Sequence, residues 1–293
     1  MEVRIVDIEA VAREHRIIGR RTELRAVSAC IAAGRNILLE GPVGVGKTAL
    51  ARAAAQGEGR GFFRVDGDGR YTENKLVGAF DPPGVLERGY QPDLFIEGPL
   101  TAAMKNGAVL FVNELNRMPE GVQNVLLPAL DEGMIHIPHL GAVRAAPGFI
   151  VIATQNPSEF VATGHLSEAL LDRFELVNLD YQSADEEQQI VRQDTRCAPT
   201  QSLIDAAVAM VRATREDPRI RRGASVRAAI AIADLAVHFD GDIAAAARLA
   251  LPTRIELGGE REEISMERLI EDLQKKTFSP STRTPRRKKT GLT

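Results

Sequence analysis

The most chemically committed stretch of the chain is Gly41-Pro42-Val43-Gly44-Val45-Gly46-Lys47-Thr48, which fits G-x-x-x-x-G-K-S/T in full. The apolar run Ile37-Leu38-Leu39 precedes it and Ala49-Leu50-Ala51-Arg52-Ala53-Ala54-Ala55 follows, so the order predicts strand, loop and helix. A loop turning into a helix N-terminus aims several backbone N–H groups at one anion, and the helix dipole adds positive potential. Glycines let the chain wrap an anion without Cβ clashes. Lys47 brings a charge for β- and γ-phosphates, and the Thr48 hydroxyl is a ligand for Mg2+. The chemistry is ATP or GTP binding. The alternative is a glycine-rich turn that binds nothing.

A second set of residues could hydrolyse what the first set holds. Val109-Leu110-Phe111-Val112-Asn113-Glu114 reads as an apolar strand ending in a polar pair. In a phosphate-binding sheet the first of the pair is expected to be an aspartate holding the Mg2+ water shell. Here it is Asn113, whose amide carbonyl accepts from metal-bound water but carries no charge. Glu114 offers a general base for water, or is an ordinary strand-end acid. Val151-Ile152-Ala153-Thr154-Gln155-Asn156-Pro157 ends another strand, and Asn156 would orient the attacking water. Its alternative is a turn, which Asn-Pro favours. Arg173, in Leu170-Leu171-Asp172-Arg173-Phe174, could reach a neighbouring subunit's γ-phosphate, or simply pair with Asp172 or Glu175. Arg227, near the start of a helix with Ser225 as N-cap, could reach back to the nucleotide, or be a solvated charge.

Positioning such groups takes a layered scaffold. Strand-like runs at Asn36–Leu39, Phe62–Asp66, Ala108–Asn113, Phe149–Thr154 and Phe174–Leu179 alternate with helix-like stretches, which predicts an α/β domain with a parallel sheet. Residues 183–274 read as helices only, with Ala-rich runs at Leu203–Arg215, Ser225–His238 and Ile243–Ala250. The Pro- and Gly-broken segment Leu76–Pro99 reads as a projecting hairpin or loop, and Met134–Ala146 as a short hairpin. The expected organisation is an N-terminal segment (1–16), an α/β core (17–182), a helical domain (183–274) and a disordered basic tail (275–293).

Composition bounds the rest. The 293 residues are 44% hydrophobic and 26% charged, enough to bury a core. Seven of the 37 basic residues and none of the 40 acidic ones follow Gln274, so the remainder carries −10. That acidic body argues against a nucleic-acid binder. No apolar run of about 18 residues is present, so no membrane span is expected. Met1–Arg16 lacks the apolar core of a signal peptide, and Cys30 and Cys197 make no disulfide framework; a reducing cytoplasm is expected. His136 and His139 have no third ligand nearby, and Asp66-Gly67-Asp68-Gly69 departs from the calcium-loop pattern at Arg70 and Tyr71.

Assembled in this order, the motifs resemble the AAA+ ATPases, and within them the MoxR family, over about residues 17–274. Gly41–Thr48 is similar to Walker A, Phe111–Glu114 with Asn116-Arg117 to Walker B, and Thr154–Pro157 to sensor 1. Leu170–Phe174 is similar to the arginine-finger segment, Gly223–Ala228 to sensor 2 and Ile17–Arg20 to the adenine-pocket segment. The two insertions fit that clade's helix-2 insert and pre-sensor hairpin. The resemblance implies a three-layer P-loop domain, a helical lid and a homo-oligomeric ring, usually a hexamer. Its cofactors would be ATP and Mg2+. The implied nucleotide contacts are Ile18, Gly41, Pro42, Val43, Gly44, Val45, Gly46, Lys47, Thr48 and Ala49. Thr48, and Asn113 through water, would face Mg2+. Glu114, Asn156, Arg173 and Arg227 are the implied catalytic set. Family members remodel protein clients, often in metalloenzyme maturation such as that of carbon monoxide or methanol dehydrogenases, with a von Willebrand A-domain partner. Asn113 leaves open a nucleotide-gated scaffold with little hydrolysis.

Overall fold

The structure, a computed structural model, describes residues 6–156, 166–258 and 265–278. The chain divides into two compact units, Met1–Gln182 and Ser183–Thr293.

The first unit opens with helices α1 (Ile8–Glu14) and α2 (Arg21–Ala32), then strand β1 (Ile37–Glu40), α3 (Lys47–Gly57) and β2 (Phe62–Asp66). After α4 (Glu73–Val77) come β3 (Gly78–Phe80), α5 (Pro82–Arg88) and β4 (Phe95–Glu97), followed by α6 (Pro99–Asn106) and β5 (Val109–Asn113). Helices α7 (Glu120–Asn124) and α8 (Leu126–Glu132) precede the hairpin β6 (Met134–Ile137) and β7 (Gly141–Arg144). Strand β8 (Ile150–Gln155), α9 (Glu168–Leu171) and β9 (Glu175–Asn178) complete the unit.

Five strands form one sheet in the order β2-β5-β8-β1-β9, every pair parallel. Side chains alternate across a strand, and here both faces are covered. Val109 and Phe111 of β5 pack with Leu24, Ile31 and Leu50 on one side. Leu110 and Val112 pack with Leu76, Leu100 and Met104 on the other. Helices on both faces explain why the central strands β5, β8 and β1 read as continuous apolar runs. Residues Val11 and Ala12 of α1 join the first of these cores, so α1 is seated on the α/β body rather than apart from it.

Both insertions are hairpins. Strand β3 pairs antiparallel with β4, with Ala79 opposite Ile96. The hairpin expected of this stretch is present, and its connection folds in addition into α5, started by Pro82 at its first turn and by Asp81, whose carboxylate accepts from Gly84 N–H at 3.0 Å. Strands β6 and β7 pair with Ile135 opposite Val143.

The second unit holds α10 (Ala184–Asp194), α11 (Gln201–Glu216), β10 (Ile220–Arg222), α12 (Val226–Val237), α13 (Ile243–Ala250), β11 (Glu256–Leu257) and α14 (Met266–Phe278). Its core is alanine-rich, with Ala207, Ala228, Ala233, Ala236 and Ala247 buried among Val211, Ile232, Leu269 and Leu273. Two expectations change here. The unit is not helices only, because β10 and β11 form a short antiparallel ribbon. The basic tail does not begin at 275, because Lys275 and Lys276 occupy the last turn of α14, where cations complement the helix dipole. Residues 279–293 of that tail lie outside the described residues.

Polar links brace the second unit. The carboxylate of Glu187, 3% exposed, meets Arg215 at 2.8 Å and Arg212 at 3.1 Å. Arg219 joins Asp217 at 2.8 Å and Asp272 at 2.9 Å. The Arg219 hydrogen bonds hold the Asp217 carboxyl below the usual carboxylate range. A depressed native value stabilises the fold above the unfolded value, near 3.9, and that contribution is lost as pH falls through the native value. Asp217→Asn therefore lowers the melting temperature at pH 7, and the deficit shrinks towards pH 3, as scanning calorimetry across that range would read.

Candidate nucleotide site

Parallel strands end at one edge of their sheet, and ligands of open α/β sheets bind outside those carboxyl ends. Here the strand ends carry the polar residues. Glu40 ends β1, Asp66 ends β2, Asn113 and then Glu114 end β5, and Gln155 and then Asn156 end β8. Gln155 Nε2 donates to the Glu40 carboxylate at 2.5 Å, tying β8 to β1 beneath the loop.

The loop between β1 and α3 leaves Gly41, Gly44 and Gly46 at φ of 154°, 81° and 93°. At Gly41 the requirement is also steric, since a Cβ there would lie 2.1 Å from the Leu179 carbonyl oxygen. Gly46 stands at the N-cap of α3 with no side chain to occupy the first-turn N–H groups. The Lys47 ammonium donates to the carbonyls of Gly41 at 2.6 Å and Pro42 at 2.9 Å, which folds its charge over the loop. Thr48 follows it in the first turn of α3, and Ala49 is exposed. A side-chain-free helix start, a wrapped loop and an inward lysine fit a triphosphate, and the Thr48 hydroxyl beside them fits a hard cation. Arg20, at φ 59°, braces the cradle from the side. Its guanidinium donates to the carbonyls of Val45, at 3.2 Å, and Asp180, and pairs with Glu23 at 2.7 Å. The carbonyl of Ile18 accepts from Gln182 Nε2 at 2.6 Å, holding the expected adenine-side segment against the chain that leaves β9.

At the end of β5 a chain of hydrogen bonds crosses three strands. Asn113 Nδ2 donates to Asp66 at 3.0 Å, and Asn113 Oδ1 accepts from the Thr154 hydroxyl at 3.1 Å. Thr154, fully buried, accepts in turn from Glu114 N–H at 2.8 Å. Glu114 sits at φ 55° and ψ 53°, a left-handed geometry that costs a non-glycine residue about 1–2 kcal/mol. The Thr154 hydrogen bond helps to hold it there, and the turn swings the carboxylate out of the strand line, where it meets Arg117 at 3.1 Å. Gly67 permits the turn, because a Cβ at that position would lie 2.1 Å from the Glu114 carbonyl oxygen. Asn156 is buried at the end of β8.

Of the predicted residues, the cradle, Asn113, Glu114 and Asn156 share one edge of the sheet. Arg173 does not. It precedes β9, whose first residue donates its N–H to the Asn36 carbonyl ahead of β1, so Arg173 lies at the amino ends of the strands. Its guanidinium pairs with Asp131 and donates to the Ala169 carbonyl, rather than pairing with Asp172 or Glu175. That partner draws the Asp131 carboxyl below its ordinary value. Arg227 is exposed in the first turn of α12, and Ser225 holds the N-cap position without a side-chain capping bond. Sequence reading missed three contributors: Arg20 as a brace, Thr154 as the hub between Asn113 and Glu114, and Asp66. The available signal for Asp66 was that β2 ends on a polar residue as β5 does.

The fold and the strand-end site define the class of P-loop nucleotide-binding domains. The sequence matches the family described as the AAA domain (dynein-related subfamily) over residues 36–174. It is 33% identical over 216 residues to the gas vesicle ATPase GvpN2 of Halobacterium salinarum, and 32% identical over 217 residues to the gas vesicle ATPase GvpN of Haloferax mediterranei. Those alignments cover 68% and 69% of this chain but 62% of each relative, so the chain spans less than two thirds of their length. An uncharacterized protein of Staphylococcus saprophyticus is 32% identical over 207 residues, covering 69% of this chain and 78% of that one. Among solved structures, a Cytophaga hutchinsonii protein at 2.00 Å superposes with a TM-score of 0.52 at 24% identity, covering 92% of this chain and 93% of that one. RuvB of Thermotoga maritima gives 0.53 at 18% identity, covering 84% and 73%. These two likenesses are of fold alone. The chain belongs to the AAA+ family, in its MoxR-like branch.

Lys47→Ala removes a charge-assisted contact to bound phosphate and weakens nucleotide binding on the order of 10–100-fold. Titration calorimetry with ATP and excess Mg2+ checks this, with circular dichroism unchanged.

Proposed function

We propose that the chain is an ATP-hydrolysing motor that works as a homo-oligomeric ring, usually of six, and remodels a protein client. The observation that carries the reading is the convergence of the Gly41–Thr48 cradle, Asn113, Glu114 and Asn156 on one edge of the sheet, with Arg173 at the other. The phosphates would lie against the N–H groups of the loop and of α3, with Lys47 neutralising charge at the β- and γ-positions. When bound, Mg2+ supplies further charge neutralisation there, held by Thr48 and by water on Asn113. Glu114 takes the proton from the attacking water and Asn156 orients that water. Ile18 borders the adenine.

Placement at the amino ends of the strands keeps Arg173 from its own cradle, separated by about 10 Å of strand β1. That supports a trans role, with the guanidinium exchanging Asp131 for a neighbouring subunit's γ-phosphate. Arg227 is included in the catalytic set on its likeness to sensor 2. Among the described residues no helix is long and apolar enough to cross a membrane, and the two free cysteines suit the cytoplasm. The client class follows the family: maturation of a metalloenzyme, with a von Willebrand A-domain partner. The names of two relatives offer a gas vesicle as the other client. Capture of partners on the tagged chain from its host separates these clients.

Asn113 favours a second reading, a nucleotide-gated scaffold with slow turnover. Steady-state ATPase assays across a Mg2+ titration decide. On the motor reading, Glu114→Gln keeps ATP binding and loses about 100- to 10,000-fold in turnover, whereas wild-type turnover no higher than that of the variant selects the scaffold. Arg173→Ala keeps ATP binding and loses most turnover, and mixing it with Lys47→Ala subunits restores part of the activity. Unchanged turnover in Arg173→Ala removes the trans assignment.

A further inference from the structure

Asn113 stands where an aspartate is expected. Its neighbours give it a reason. An asparagine amide has a donor end and an acceptor end, and its two flips differ only in which end faces which neighbour. On the β2 side stands Asp66, opposite Asn113 in the parallel register. Arg64 forks that carboxylate, with Nη2 at 2.7 Å and Nε at 3.1 Å. An ionised carboxylate only accepts, so it takes Nδ2, at 3.0 Å. On the β8 side, the buried Thr154 hydroxyl accepts from Glu114 N–H and gives its one hydrogen to Oδ1, at 3.1 Å. Both neighbours select the same flip. The result is one polarity running from the Glu114 N–H through Thr154 and Asn113 to Asp66, where Arg64 donates from the other side.

We infer that Asp66 is a positioning residue of the hydrolysis site: it takes the donor end of the Asn113 amide and turns the amide oxygen towards β8, the side on which the phosphate cradle lies. That oxygen accepts one hydrogen bond from Thr154 and retains a second lone pair, the acceptor that water on a nucleotide-bound Mg2+ requires. Asp66 and Asn113 therefore form one unit in which the carboxylate stands on β2 and the amide on β5. The unit also disfavours aspartate at residue 113, since two carboxylates would then meet at about the 3.0 Å of the present hydrogen bond and either repel or take up a proton. The inference rests on the ATPase reading and adds to it a residue that no motif marks.

The test is a double-mutant cycle of Asn113→Asp, Asp66→Asn and the exchange D66N/N113D. It has two readouts: the melting temperature of the nucleotide-free chain at neutral pH, and the Mg2+ concentration that half-saturates binding of a fluorescent N-methylanthraniloyl ATP. Asn113→Asp alone is expected to melt below wild type and to gain no Mg2+ affinity, despite its added charge. The exchange recovers the wild-type melting temperature, because the amide is then on β2 and donates to the carboxylate on β5. It also lowers the half-saturating Mg2+ several-fold below wild type, because the carboxylate now stands one strand nearer the cradle. Additive effects around the cycle, or an Asn113→Asp variant that melts as wild type and binds Mg2+ as tightly as the exchange, overturn the assignment. A wild-type chain that binds no nucleotide at any Mg2+ concentration overturns the ATPase reading itself and takes the role of Asp66 with it.

Discussion

The parallel register of five strands is the constraint on which the site depends. Because β2, β5, β8 and β1 all run in the same direction, Asp66, Asn113, Gln155 and Glu40 fall at one edge without any loop having to carry them there. A single antiparallel strand would send its polar end to the far side. The same register fixes the spacing of the hydrogen-bond chain, since neighbouring strands lie about 4.8 Å apart and short side chains such as Asp, Asn and Thr span that gap. The register is itself held by burial on both faces. A slip of one residue would exchange Phe111, which stacks on Phe62 at 5.2 Å, with Leu110 and Val112 of the opposite core.

Local backbone geometry then converts strand ends into a site. Two turns do this, and each depends on a glycine that lets chains approach. Gly41 allows the phosphate loop to start against the Leu179 carbonyl, and Gly67 allows the chain leaving β2 to pass the Glu114 carbonyl. The second contact matters because Glu114 occupies a left-handed conformation of its own. Buried, fully hydrogen-bonded Thr154 links the two halves. Losing its hydroxyl would release the Glu114 N–H and one side of the Asn113 amide together, so the network acts as a unit rather than as separate contacts.

Much of this was legible because the signals were local. The central strands β5, β8 and β1 are continuous apolar runs, and all five strands lie within a residue or so of where the sequence placed them. The phosphate loop is a contiguous pattern whose neighbours must be strand and helix. What escaped were features that exist only across strands. Asp66 lies 47 residues from Asn113, and nothing in either local sequence says that one residue's acceptor will select the other's donor. Helix α5 was hidden by the Pro82-Pro83-Gly84 run, which reads as a breaker but supplies an N-terminal first turn below the Asp81 cap. The ribbon of β10 and β11 was hidden by its length, since strands of three and two residues leave no periodicity to detect. The early start given to the basic tail came from its charge and polar composition. Leu269, Ile270 and Leu273 bury one face of α14, and that face carries the helix past Lys275 and Lys276.

The position of Arg173 bears on whether one chain is a complete enzyme. Its guanidinium stands beyond the amino ends of the strands and the cradle stands beyond their carboxyl ends, so β1 lies between them. Side-chain rotation cannot close that gap, because an arginine extends only about 6–7 Å from its Cα given standard bond lengths. Either Arg173 has no part in hydrolysis, or the catalytic unit includes two chains. Its pairing with Asp131 suits the second case: an exposed ion pair between two flexible side chains is worth little, so a buried γ-phosphate of greater charge competes for the guanidinium with advantage. On the proposed trans role, Asp131 would keep the arginine ordered in the free subunit without holding it against use, and assembly would be the step that completes the active site.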